Sequence, residues 1–81
     1  MKGLRLNLVS PEKELFDGEV ESVTLPGVIG SFTILPQHAP IVASLQAGVV
    51  TYVTEGGEEH THEIHGGFIE MNSDSVSVCV D

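Results

Sequence analysis

Leu4-Arg5-Leu6-Asn7-Leu8-Val9 places leucine at every second position, and Ser75-Val76-Ser77-Val78-Cys79-Val80 does the same with valine at the far end of the chain. Side chains on a strand alternate between two faces, so each segment has one face for a core and one for solvent. Working inward, Ser10-Pro11-Glu12-Lys13 has turn chemistry, and Glu14 to Asp17 returns the chain to a break at Asp17-Gly18. Glu19 to Leu25 changes apolar parity between Val20 and the pair Val23 and Leu25, the shift that a bulge near Ser22 produces. Pro26-Gly27-Val28-Ile29-Gly30 reads as a loop whose central residues are large and apolar. Ser31 to Leu35 is β-branched and aromatic, and Pro36-Gln37-His38-Ala39-Pro40 then forces a turn. Ile41 to Gln46, Val49 to Thr54, Glu58 to His65 and Phe68 to Met71 read as further short strands. The breaks between them are Ala47-Gly48, Glu55-Gly56-Gly57 and Gly66-Gly67, and Asn72-Ser73-Asp74 forms the last turn. No segment carries apolar residues at helical spacing for three turns. The expectation is an all-β sandwich or flattened barrel of many short strands, with no substantial helix.

A chain of 81 residues has material for one core, so residues 1–81 form one domain. Twelve acidic residues face three basic ones, for a formal charge of -9, and Lys2, Arg5 and Lys13 all lie at the N-terminal end. Binding to nucleic acid or to anionic lipid needs Lys and Arg at phosphates, so neither is expected as a partner; a basic protein surface is. Cys79 is the single cysteine and cannot close an intramolecular disulfide, which fits a reducing compartment. No stretch reads as a signal peptide or approaches the roughly 18 apolar residues of a spanning helix, so direct membrane insertion is not expected.

The residues give little support to catalysis. Cys79 lies within an alternating strand, no serine has a nucleophile-elbow setting, and the glycine pairs match neither a phosphate loop nor a dinucleotide turn. No catalytic residue and no cofactor is expected. His60, His62 and His65 with Glu58, Glu59 and Glu63 form the one cluster with metal-ligand chemistry. His60 and His62 share a strand face whereas His65 has the opposite parity, so a solvated hairpin is the preferred reading and a small metal-binding β-domain the alternative. His38, between two prolines, reads either as a loop histidine bonded to a neighbouring carbonyl or as a presented contact residue, with Ile41 and Val42 beside it.

Three ordered segments, LNLVSPEKELFDGEVESVTLPG (6–27), ILPQHAPIVASLQAG (34–48) and GGFIEMNSDSVSVCVD (66–81), resemble the epsilon subunit of bacterial F-type ATP synthases, called delta in mitochondria. The resemblance implies a ten-stranded β-sandwich of two packed, mostly antiparallel sheets in the central rotor stalk. It implies a non-catalytic subunit, held against gamma and seated on the polar loops of the c-ring, that helps couple proton flow to ATP synthesis. It places the chain peripherally at the cytoplasmic face of the bacterial inner membrane. By position, Pro26, Gly27, Val28, Ile29, Gly30 and Ser31 resemble the c-ring-facing loop. Ser10, His38, Ala39, Pro40, Ile41, Val42 and Ala43 resemble the gamma-facing side, where aspartate at His38 or Ile41 is expected to weaken docking without harming the fold. The chain departs from the pattern at Ser31, where an acidic residue is frequent, and at Thr33, where glycine is. Family members commonly continue into a C-terminal helical hairpin that binds ATP and restrains hydrolysis; the sequence stops at Asp81, and ATP binding is not expected of it. A free-standing adaptor of the same fold is a further alternative.

Overall fold

The computed structural model describes residues 3–81 and contains six strands: β1 Leu4–Val9, β2 Glu14–Gly27, β3 Gly30–Ile34, β4 Ile41–Thr54, β5 Glu59–Asn72 and β6 Ser75–Val80. They pair in the order β1-β6-β5-β4-β2-β3, and a further β1–β2 pairing closes the sheet on itself. All pairings are antiparallel except β1 with β6. The body measures 33 × 24 × 18 Å, which is a flattened barrel.

The all-β expectation holds, but the strand count differs: there are six strands where about ten were expected, and their hydrogen bonding is continuous rather than split into two separate sheets. The difference lies at glycines. Gly18, Ala47-Gly48 and Gly66-Gly67, read above as breaks, lie inside β2, β4 and β5. A sheet that closes over a small core must bend, and glycine permits the bend without ending the strand.

Register locates the main corner. β4 and β5 stay in one register from Ile41↔Met71 to Val53↔Glu59. Even so, the core-facing residues change from Ala43, Leu45, Ile69 and Met71 on one side of Gln46 to Val50, Tyr52 and Ile64 on the other. Both strands therefore switch parity together, at Gln46-Ala47 opposite His65-Gly66, and the ribbon folds over the core there. Gly67 sits beside this corner at φ +149. A Cβ on Gly67 would run into the carbonyl oxygen of Cys79 on β6.

The bulge expected near Ser22 is present: Val20 pairs Thr54 while Ser22 pairs Val53, so Glu21 is the extra residue. It moves Val20 and Val23 to the same side, both fully buried. Pro26 and Gly27, expected in a loop, are the last residues of β2 instead. Pro26 has no N–H to give β4, and the β2–β4 ladder is interrupted between Thr24 and Gly27, where Pro26 sits. The core is a single apolar cluster contributed by all six strands, with no buried polar side chain among the described residues.

Candidate docking surface

The β2–β3 connection is a two-residue turn, Val28-Ile29, between the paired Gly27 and Gly30. Gly27 has no side chain because the ring of Phe32 and the carbonyl of Gly30 occupy the space that a Cβ would fill. The tip is pinned to β4, since Val28 N donates to the Ser44 carbonyl at 3.1 Å. Ile29 is 103% exposed and Val42, on the outward face of β4, is 74% exposed. Between tip and strand lies a groove of about 330 Å³ lined mainly by Val28, Ile29, Phe32, Ile41, Val42 and Ala43. The stretches 26–31 and 39–43, expected to face different partners, thus adjoin in one apolar surface.

Within this region the expected residues behave differently. Ile41 and Ala43 are half-buried against the core, so their first duty is packing. Aspartate at Ile41 would therefore strain the fold itself, which corrects the expectation of an intact fold. His38 closes a turn in which its N–H donates to the Leu35 carbonyl at 3.2 Å, with Pro36 and Gln37 (φ +67) at the centre, a type II arrangement. Its ring Nδ1 lies 2.7 Å from the Ala39 carbonyl. A carbonyl only accepts, so Nδ1 donates this bond, and Nε2 takes no part in it on an exposed side chain. Ala39 and Pro40 are exposed beside it. Gly30 and Ser31 are likewise exposed, and Pro26 is half-buried against Gly48.

Ser10 lies elsewhere. Its backbone N–H donates to the Lys13 carbonyl at 2.9 Å and its hydroxyl accepts from Lys13 N at 3.3 Å, which closes the β1–β2 turn. It borders a second shallow groove of about 310 Å³ with Val9, Phe68 and Cys79. This groove is connected to the first by a cross-strand row, Val9↔Cys79↔Phe68↔Ser44, on the outward face of β1, β6, β5 and β4.

Phe68, 51% exposed, and the half-buried Cys79 and Val9 are surface members that sequence reasoning missed. A signal for the part of the surface built by the tip and β4 was available. From Ser22 to Thr54 the chain contains no Asp, Glu, Lys or Arg, so every formal charge lies before or after this stretch. That stretch forms the end of β2, all of β3 and all of β4. Desolvating it costs little, which suits the centre of an interface.

The histidine cluster does not assemble. His60 and His62 occupy the same side of β5, opposite Tyr52 and Val50, while His65 is exposed at the corner. The His60 ring stacks on Tyr52 with centroids 5.4 Å apart, and its Nε2 meets Glu58 at 3.2 Å. No three metal-ligating side chains converge among the described residues. Ionisation equilibria are shifted at three residues, Arg5, Asp17 and Tyr52, with Arg5 raised by its hydrogen bond to Asp17. The hydrogen bond from Arg5, at 3.0 Å, and its charge hold the Asp17 carboxyl below the usual value, and burial pushes the Tyr52 phenol up.

The chain matches the family described as "ATP synthase, Delta/Epsilon chain, beta-sandwich domain" over residues 3–81. It is 41% identical over 78 residues to the ATP synthase epsilon chain of Leptospira interrogans, covering 96% of this chain and 61% of that one. It is 41% identical over 81 residues to the epsilon chain of Chromohalobacter salexigens, covering 100% and 57%. The chain thus spans about three-fifths of the length of these curated relatives. Among solved structures, a chain of the Euglena gracilis mitochondrial ATP synthase (OSCP/F1/c-ring) superposes with a TM-score of 0.92 at 23% identity, over 99% of this chain and 51% of that one. A chain of the Tetrahymena thermophila enzyme's central stalk and c-ring superposes at 0.80 and 15% identity, over 99% and 66%. These superpositions concern the fold; the family match and the identity to the curated relatives establish that the chain belongs to the ATP synthase delta/epsilon family, through its β-sandwich domain.

Proposed function

We propose that this domain is a non-catalytic part of the rotor of a proton-translocating F-type ATP synthase, docking on gamma and on the polar loops of the c-ring. In this reading it helps transmit the torque that couples proton flow to ATP synthesis, peripherally at the cytoplasmic face of a bacterial inner membrane. The observation that carries it is the exposed, charge-free surface of the Val28-Ile29 tip and the start of β4, in a chain of this family. Titratable side chains do not converge there, so binding rather than chemistry is what this surface offers. The tip would meet the ring, and His38 to Val42 would meet gamma, with the exposed His38 ring offering it a hydrogen bond.

Affinity for gamma is the test, read with Ile29→Asp and Val42→Asp in place of a substitution at the half-buried Ile41. Removing a buried aliphatic side chain from an interface loses about 1.5–3 kcal/mol, or roughly 10- to 150-fold in affinity. An unpaired carboxylate adds to the loss. Val42→Asp is expected to weaken gamma binding by at least tenfold, and Ile29→Asp to weaken assembly onto the c-ring. Both should leave the thermal midpoint within a few degrees of wild type, since neither side chain is buried. No complex with gamma at micromolar concentration, or unchanged affinity in the variants, would overturn the reading.

A further inference from the structure

Among the described residues, the β1–β2 pairing leaves β3 as the strand with a single neighbour. The stretches of its fellow strands that are unpaired on one side, residues 14–19 of β2 and 59–66 of β5, carry acidic side chains. β1 and β3 occupy the same side of β2 in succession, β1 along Glu14 to Val20 and β3 along Val23 to Gly27, while β4 takes the other side.

The register shows which backbone groups face outward. A two-residue turn makes Gly27–Gly30 a hydrogen-bonded pair, so Leu25–Phe32 and Val23–Ile34 are bonded too. Pro26–Ser31 and Thr24–Thr33 are then the non-bonded pairs. Two observations agree. Pro26 has no N–H to share with Ser31, and the hydroxyls of Thr24 and Thr33 meet at 2.9 Å, the close approach typical of a non-bonded pair. Ser31 and Thr33 therefore direct their N–H and C=O groups away from β2.

Exposed edges are normally guarded by charge, proline or a bulge. Ser31 to Ile34 has none of these, and its pairing with β2 is regular throughout. The edge also adjoins the apolar groove, because Gly30 and Phe32 line both.

We propose that the outer edge of β3 receives an extended, uncharged segment of a partner chain as an added strand, hydrogen-bonded through Ser31 and Thr33. In strand addition the main chain supplies affinity and alternate side chains supply specificity; here the alternate side chains pack beside Phe32 at the groove. The proposal rests on the docking reading above, for which it supplies a binding mode. A second copy of this chain is the wrong occupant, since each copy carries a formal charge of -9. The groove continues the edge into the surface assigned to gamma, so the added strand comes from gamma.

Amide hydrogen exchange read by NMR, on the chain alone and in complex with gamma, tests this directly. Exchange at Ser31 and Thr33 should slow by about tenfold or more on binding, the equivalent of one formed hydrogen bond per amide. Thr33→Pro removes an outward N–H that β2 does not use and should weaken gamma binding about tenfold. Thr33→Val, which removes only the hydroxyl, should not. Gamma bound with Ser31 and Thr33 still exchanging freely overturns strand addition and leaves docking intact. Failure of gamma to bind at all overturns both. Protection of these amides in a dimer of this chain alone overturns the choice of occupant. If Thr33→Pro fails to fold, wild-type exchange still decides.

Discussion

Alanine at Gly67 should unmake the corner on which the outward row depends. Gly67 sits at φ +149, a conformation that residues with a Cβ seldom adopt. Its added methyl would overlap the Cys79 carbonyl oxygen and stand 3.0 Å from Val80 Cα. Both obstacles are backbone atoms of β6, and Val80 is the residue that Gly67 pairs with, so neither can rotate aside. Backbone strain contributes about 1–3 kcal/mol, and displacing a packed strand about as much again. Together these are roughly 2–6 kcal/mol, against a total stability for a chain of this length of about 4–12 kcal/mol. Gly67→Ala should therefore lose on the order of half the stability, a fall in thermal midpoint of about 10 °C or more at the usual 4–8 °C per kcal/mol. Gly56→Ala is the control, because Gly56 lies in the β4–β5 loop with open space around it, and it should change stability by less than about 1 kcal/mol. Thermal melts by circular dichroism, with both variants compared at one pH, decide the matter. A Gly67→Ala midpoint within about 3 °C of wild type, or equal falls in the two variants, would refute the account of the bend.

Two further predictions concern pH. Burial raises the Tyr52 phenol above its ordinary value of 10.0, so the unfolded chain ionises first and stability should decline as pH rises above about that value. Tyr52→Phe removes this alkaline decline if Tyr52 causes it, and an unchanged profile of midpoint against pH would count against the assignment. Asp17 runs the other way: Arg5 lowers its carboxyl below 3.8, so its contribution is present above that pH and is lost as pH falls through the lowered value. Asp17→Asn should flatten the midpoint profile below about pH 4, by a small amount because the pair is on the surface; a slope equal to wild type would show that Arg5 and Asp17 are not coupled in solution.

Legibility followed the range over which a residue's fate is decided. Leu4, Leu6 and Leu8, like Val76, Val78 and Val80, are core residues in the structure, as simple alternation requires. The bulge at Glu21 was legible for the same reason, since a parity shift within one strand leaves its mark on that strand alone. Gly18, Gly48 and Gly66-Gly67 were misread as ends because the same residue serves a turn and a bend. Which one it serves depends on the partner strand: Gly48 stands against Pro26, and Gly67 against Cys79. The outward position of Phe68 follows from that bend, so it was hidden as long as the bend was. The contact stretches at 26–31 and 39–43 were legible separately, but their union depends on the hydrogen bond between Val28 and Ser44, far apart in sequence.

The acidity of the chain also changes meaning once the charges are placed. A formal charge of -9 suggested a basic partner, yet the candidate contact surface draws on the one stretch, Ser22 to Thr54, that has no formal charge at all. Charges at the rim of an interface act mainly on the approach of a partner and fade beyond about 8–10 Å in physiological salt. Apolar groups at its centre hold the complex once formed. The acidic flanks, residues 12–21 and 55–81, therefore fit a role in orienting the encounter and in repelling further copies of the same chain. The contact itself falls first to Val28, Ile29 and Val42, the most exposed of the large apolar side chains among the described residues.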